Sequence, residues 1–140
     1  MLRAAFVTAA AFSALVIGAP SAAAIPVYQT AISLVPSGTI GTGCAVTLTA
    51  TVTSTPPPID KGDVYFSLDN SVDLGQLELR SGKASVVWTP TQAQAGAHKL
   101  TAFYTGFNSN DEEAWTMSLI DLNVTVVNAI NTGSGCLPLG

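Results

Sequence analysis

The chain has 140 residues, with 5 Lys+Arg against 9 Asp+Glu, one His and two Cys. That length suits one domain, and 48% hydrophobic against 10% charged residues excludes a disordered chain. The acidic balance excludes a phosphate-backbone binder, so no nucleic-acid partner is expected. One His and two Cys also exclude a four-ligand zinc centre of the N/S type, and no cofactor or other metal is implied.

Residues 1–24 read as a secretory leader. Arg3 supplies the positive start and Ala4–Ile17 an uncharged apolar run. Gly18 and Pro20 break the run, and Ser21-Ala22-Ala23-Ala24 offers the small residues that signal peptidase requires. The run is shorter than the roughly 20 residues needed to span a bilayer, so no stable membrane anchor is expected. The mature chain would start near Ile25, with 140 − 24 = 116 residues and a net charge of 4 − 9 = −5. The expected organisation is a leader over 1–24, one β domain over 25–128 and a tail over 129–140.

The first strand is expected near Tyr28–Leu34. Ala45–Thr53 then alternates strictly, with Val46, Leu48, Ala50 and Val52 on one face and four Thr on the other. Such alternation marks a strand with one buried face and one wet face. Pro56, Pro57 and Pro58 end it, because proline cannot donate to a ladder. Asp63–Leu68 repeats the pattern with Val64, Phe66 and Leu68 in phase, and Asp69-Asn70 is turn chemistry. A weaker strand follows over Asp73–Leu79. Ser81-Gly82 marks a hairpin before Lys83–Trp88, where Ala84, Val86 and Trp88 share a face. Thr91–Gly96 has room for one helical turn. Ala97–Thr105 is a strand, Gly106–Glu113 a polar loop, and Ala114–Val127 one long final strand. About seven strands at short, regular spacing predict an antiparallel β-sandwich. The expected core is Ile32, Leu34, Val46, Leu48, Ala50, Val52, Val64, Phe66, Leu68, Leu77, Leu79, Val86, Trp88, Leu100, Ala102, Tyr104, Leu122, Val124 and Val126.

A set of ordered pieces carries a resemblance. Gly43 with Val46–Val52, Gly62–Phe66, Leu74-Gly75, Gly82–Ala84, Ala95–His98, Leu100–Gly106 and Val124–Val126 resemble the group 3 bacterial immunoglobulin-like domains over residues 30–127. The resemblance implies an immunoglobulin-like sandwich of the kind repeated in secreted or surface proteins, where it acts as a spacer or adhesive module. This chain has a single copy and two cysteines that such repeats usually lack.

Strand parity brings those cysteines together. Between the Val46 strand and the end of the Val126 strand the chain crosses the sandwich six times, which returns it to the starting end. Cys44 and Cys136 then share that end, and Asn131–Gly135 gives the slack for a bond. Two free thiols or intermolecular pairs are the alternatives.

Chemistry-bearing residues are sparse. His98 has no nucleophile elbow or other motif that would make it part of a triad. Its ordinary role is that of a strand residue near one end. Asp111, Glu112 and Glu113 form the densest acidic run, either a calcium site or a solvated loop, without EF-hand spacing. Asn123-Val124-Thr125 has the form of a glycosylation acceptor but sits in a strand. The aromatics form a candidate partner-binding face. With Phe66 and Tyr104 inward, Tyr65 and Phe103 point outward on neighbouring strands. Unbroken alternation would place Trp115, Met117 and Leu119 beside them, whereas a bulge near Ile120-Asp121 would return all three to the core. The expected function is a secreted, non-enzymatic and monomeric binding or adhesion module. Its partner would be an unidentified protein or glycan at the cell surface. A structural envelope component without ligand, or a carrier of a small apolar molecule, are the alternatives.

Overall fold

The computed structural model describes Gly18 and residues 21–56, 59–110 and 112–140. The leader expected over 1–24 lies almost wholly outside them. Among the described residues no helix is long and apolar enough to cross a membrane.

Among the described residues twelve strands follow in order: β1 (Val27–Tyr28), β2 (Thr30–Pro36), β3 (Val46–Ser54), β4 (Asp63–Leu68), β5 (Val72–Glu78), β6 (Lys83–Trp88), β7 (Gly96–Tyr104), β8 (Phe107–Asn108), β9 (Ala114–Trp115), β10 (Ser118–Val126), β11 (Ala129–Asn131) and β12 (Cys136–Pro138). One turn of 3-10 helix, Gln92–Gln94, precedes β7 where the sequence left room for it. Seven of the strands build two antiparallel sheets, ordered β2-β3-β6 and β10-β7-β4-β5. This is an all-β immunoglobulin-like sandwich.

Period-two patterning explains how the sheets close on each other. Val46, Leu48, Ala50 and Val52 point inward from β3, Val64, Phe66 and Leu68 from β4, and Leu100, Ala102 and Tyr104 from β7. Each large side chain removed from water stabilises by roughly 1.5–3 kcal/mol. Every residue of the expected core is either buried or packed against the buried cluster. The cluster also takes in Ile40, Ile59 and Ala84. Tyr104 reaches the end of the core and donates its hydroxyl to the Lys61 carbonyl at 2.8 Å, and burial pushes its pKa up to about 12. Gly62 must be glycine here: its φ is +90°, and a Cβ would lie 2.7 Å from the Gly106 carbonyl oxygen and 2.8 Å from the Tyr104 ring.

The final strand differs from expectation. Ala114–Val127 is two strands, with the break at Thr116-Met117. β10 runs against β7 in unbroken register from Ser118 to Val126, so no bulge occurs at Ile120-Asp121. β9 instead pairs parallel with β1 and antiparallel with β8. The cause is a competing partner: Ala114 donates its N–H to the Pro26 carbonyl and Thr116 to that of Tyr28, both at 3.0 Å.

Cys44 and Cys136 are bonded, with Cα atoms 5.8 Å apart. The C-terminal residues form a hairpin, β11 against β12, beside that bond. It is held also by Asn131 Nδ2 donating to the Gly43 carbonyl at 3.0 Å and Ala129 N–H to Thr42 Oγ1 at 3.1 Å.

Candidate contact surface

The outer side of the four-stranded sheet is fixed by the same alternation that fills the core. With Phe66 and Tyr104 inward, Tyr65 and Phe103 project outward and face each other across the β4–β7 ladder. Gln76 lies beyond Tyr65 on β5, and Leu119 beyond Phe103 on β10. Gln76, Tyr65, Phe103 and Leu119 therefore form one row across all four strands. At about 4.8 Å per strand the row is roughly 14 Å long. Tyr65 is 41% exposed and Leu119 57%. Phe103 is half-buried between them. Met117, 67% exposed, precedes Leu119 by two residues in the link to β10.

Trp115 leaves this group. It is half-buried, packs against the core, and stacks obliquely on Tyr28 and Phe107 with ring centroids 5.4 and 5.9 Å away. The break at Thr116-Met117 divides what the sequence treated as one phase: Trp115 turns in, Met117 and Leu119 turn out. Leu119 joins Phe103 by register, and its signal in the sequence was its shared phase with Met117.

The neighbouring rows on this sheet are polar and internally satisfied. Thr101 donates its hydroxyl to Asp121 Oδ1 at 2.6 Å, and Lys99 Nζ lies 3.5 Å from Asp121 Oδ2. Gln76 Nε2 donates to Asp63 Oδ2 at 2.8 Å. Near the β4–β5 turn, His98 Nδ1 meets Asp69 Oδ2 at 2.6 Å and His98 Nε2 meets the Gln94 carbonyl at 2.9 Å. Neither ring nitrogen is left over for a substrate. Asp69 Oδ1 also accepts the Lys99 N–H at 2.8 Å. Of the acidic run, Glu112 and Glu113 are placed and Asp111 lies outside the described residues. Among the described residues no group of three or more His, Cys, Asp or Glu is positioned to hold a metal ion.

These contacts set a pH response. The hydrogen bond from His98, then the Lys99 N–H and the charges of both residues, hold the Asp69 carboxyl below its ordinary value. The Thr101 hydroxyl, then Lys99, does the same for Asp121. A carboxylate lowered on folding stabilises the fold above its unfolded pKa, near 3.8. That contribution is lost as pH falls through the folded value. The melting temperature should therefore fall on acidification below about pH 4. Asp121→Asn should melt below the wild type at neutral pH, with the gap closing towards about pH 2. Thermal melts across that range check it, and a gap that widens on acidification would reverse the sign.

A family model, bacterial Ig-like domain (group 3), matches residues 32–133. The chain belongs to that family. Among solved structures it is similar to a CARDB domain from Pyrococcus furiosus, determined by NMR in solution, at 15% identity and a TM-score of 0.50. The match covers 74% of this chain and 98% of that domain. A likeness at that identity speaks for the fold alone. A search of the curated proteins finds no relative. The two antiparallel sheets described above are those of an Ig-like sandwich. Such domains are generally non-catalytic modules of extracellular proteins, and the Cys44–Cys136 bond suits an oxidising compartment.

Proposed function

We propose that this chain is a secreted, non-enzymatic binding module whose contact surface is the outer side of the four-stranded sheet. A protein partner at the cell surface would seat on Tyr65, Phe103, Leu119 and Met117. The observation that carries the reading is the difference between the two outer sheet faces. The three-stranded sheet turns Ser33, Thr47, Thr49, Thr51, Thr53 and Ser85 outward. Its exposed Val35 and Val87 lie on opposite flanking strands, each paired with a Thr of β3. The four-stranded sheet instead sets apolar side chains side by side across adjacent strands. Aromatic anchors bind efficiently because they lose little rotamer freedom on contact. The leader pattern over residues 1–24 supports export, with the domain over 25–128 as the exported module and the tail over 129–140 tied back to it.

The test compares Phe103→Ser and Leu119→Ser with Val87→Ser on the opposite face. The first two should lower stability by less than about 2 kcal/mol in denaturant melts and reduce retention on the producing cells at least tenfold. Val87→Ser should retain binding. Retention unchanged in both face variants would remove this surface from the function.

A further inference from the structure

His98 is the chain's one histidine, and on β7 it shares the phase of the inward side chains Leu100, Ala102 and Tyr104. It stands at the end of the core, near the start of β7, and its side chain is only 17% exposed. Two connections meet over the ring. One is the turn between β4 and β5, which carries Asp69; the other is the link between β6 and β7, which carries the 3-10 turn Gln92–Gln94. Nδ1 lies 2.6 Å from Asp69 Oδ2, and Nε2 lies 2.9 Å from the Gln94 carbonyl oxygen.

Both of these partners are acceptors. A carbonyl oxygen has no proton to give. Above about pH 4 Asp69 is ionised: its carboxyl is held below the ordinary value, and its other oxygen accepts the Lys99 N–H at 2.8 Å. A neutral imidazole carries one N–H and one lone pair, whereas the imidazolium carries two N–H donors. Only the protonated ring therefore makes both contacts at once. A neutral ring must set its lone pair against either the carboxylate or the carbonyl oxygen. The carboxylate bears a full charge and repels it more. The remaining proton stays on Nδ1, and the Gln94 contact is the one that opens.

The other neighbours of the ring leave that choice to those two oxygens. Across the ladder on β10, Val124 faces His98 between Asn123 and Thr125, none of them charged. In the recess beside the ring only Asp69 and Lys99 bear charge. The Lys99 ammonium is the one group that opposes a positive ring, and it lies 3.5 Å from Asp121 Oδ2. Asn70 on the turn, and Gln92 and Gln94 on the link, are neutral.

The Gln94 carbonyl shares its peptide plane with the Ala95 N–H, which donates to the Gln92 carbonyl at 3.3 Å and closes the 3-10 turn. Opening the His98 contact frees the peptide that holds this turn. Histidine is the side chain that changes charge between about pH 5 and 8. We propose that His98 is a pH-operated latch: its imidazolium pins the Gln92–Gln94 turn to the β4–β5 turn, and loss of one proton releases the Gln92–Gln94 turn while the Asp69 contact is kept.

With one histidine in the chain, the imidazole signals in a long-range ¹H–¹⁵N spectrum of the untagged, labelled protein belong to His98 alone. At about pH 5 both ring nitrogens should carry protons, and at about pH 8.5 only Nδ1 should. Backbone ¹⁵N relaxation reads the turn: the order parameter of the Ala95 N–H should fall from about 0.85 to below about 0.6 between those pH values. In His98→Gln, whose amide does not titrate, it should be the same at both. A ring with one proton at the lower pH, with two at the higher, or with its last proton on Nε2 overturns the proposal. So does an Ala95 order parameter that stays constant in the wild type, or that falls equally in His98→Gln.

Discussion

Trp88→Ala should destabilise the domain by about 3–5 kcal/mol, the usual range for emptying a large aromatic site in a packed core. Trp88 is 6% exposed at the end of β6, opposite Val46 of β3. It belongs to the single cluster that joins both sheets. Truncation loses the transfer free energy of the indole and leaves a cavity that antiparallel ladders on β3 cannot collapse to fill. Against a total of roughly 5–15 kcal/mol for a domain of this size, that is a large share. The neighbouring Val87 is an internal control: it is 65% exposed and points to the opposite side of the same strand. Val87→Ala should cost less than about 1 kcal/mol. Urea melts of the two variants check both values. A larger loss for Val87→Ala than for Trp88→Ala would mean that β6 has slipped by one residue, because such a slip exchanges its two faces.

The alternation that makes this comparison possible is also what made most of the fold legible. Along Val46–Thr53 every second residue is apolar, and a period of two admits one assignment of faces. The same holds for Val64, Phe66 and Leu68, and for Leu100, Ala102 and Tyr104. What escaped the pattern lies where no period exists. Ile40 and Ile59 are buried from loops, and nothing in their neighbours distinguishes them from exposed loop aliphatics. The division of the last strand escaped for another reason. Ala114–Val127 is locally a good strand throughout, and its break is imposed by residues 26–28, nearly ninety positions away. Gly106 shares in that arrangement: at φ +74° its backbone passes so close to the Trp115 carbonyl oxygen that a Cβ would lie 2.7 Å from it.

The candidate surface was legible to the same extent and for the same reason. Tyr65 and Phe103 are one residue out of phase with Phe66 and Tyr104, so inward and outward follow from each other. Their side-by-side placement follows from the strand order. Trp115 could not be placed by phase, because phase is defined only within one strand. Trp115 Nε1, buried without a hydrogen-bond partner among the described residues, is further still from sequence reach. Nothing in Glu113-Ala114-Trp115 indicates whether a buried N–H will find an acceptor, since its surroundings come from β1, β8 and the β3–β4 loop.

Cys44→Ser should cost about 4–5 kcal/mol in the chain-entropy account of disulfides. The bond joins residues 92 positions apart, so it closes nearly the whole domain into one loop. Its effect falls chiefly on the unfolded chain, which loses much of its freedom while the bond is intact. The native contacts of the hairpin point the same way. Ile130 and Leu137 face each other across β11 and β12, yet they are 53% and 59% exposed, so the hairpin adds little apolar burial. At roughly 4–8 °C per kcal/mol for a domain of about this size, the melting temperature should drop by roughly 15–40 °C. Cys136→Ser should give a similar drop, although Cys44 is 4% exposed and Cys136 only half-buried. Loop closure depends on the bond and not on which partner is removed, whereas packing would make Cys44 the costlier of the two. Melts of both variants beside the oxidised wild type therefore separate the causes. A drop confined to Cys44→Ser would assign the stabilisation to the local packing of the buried Cys44 side chain, which is 4% exposed. A loss below about 1 kcal/mol in both would show that the reduced unfolded chain is nearly as constrained as the bonded one.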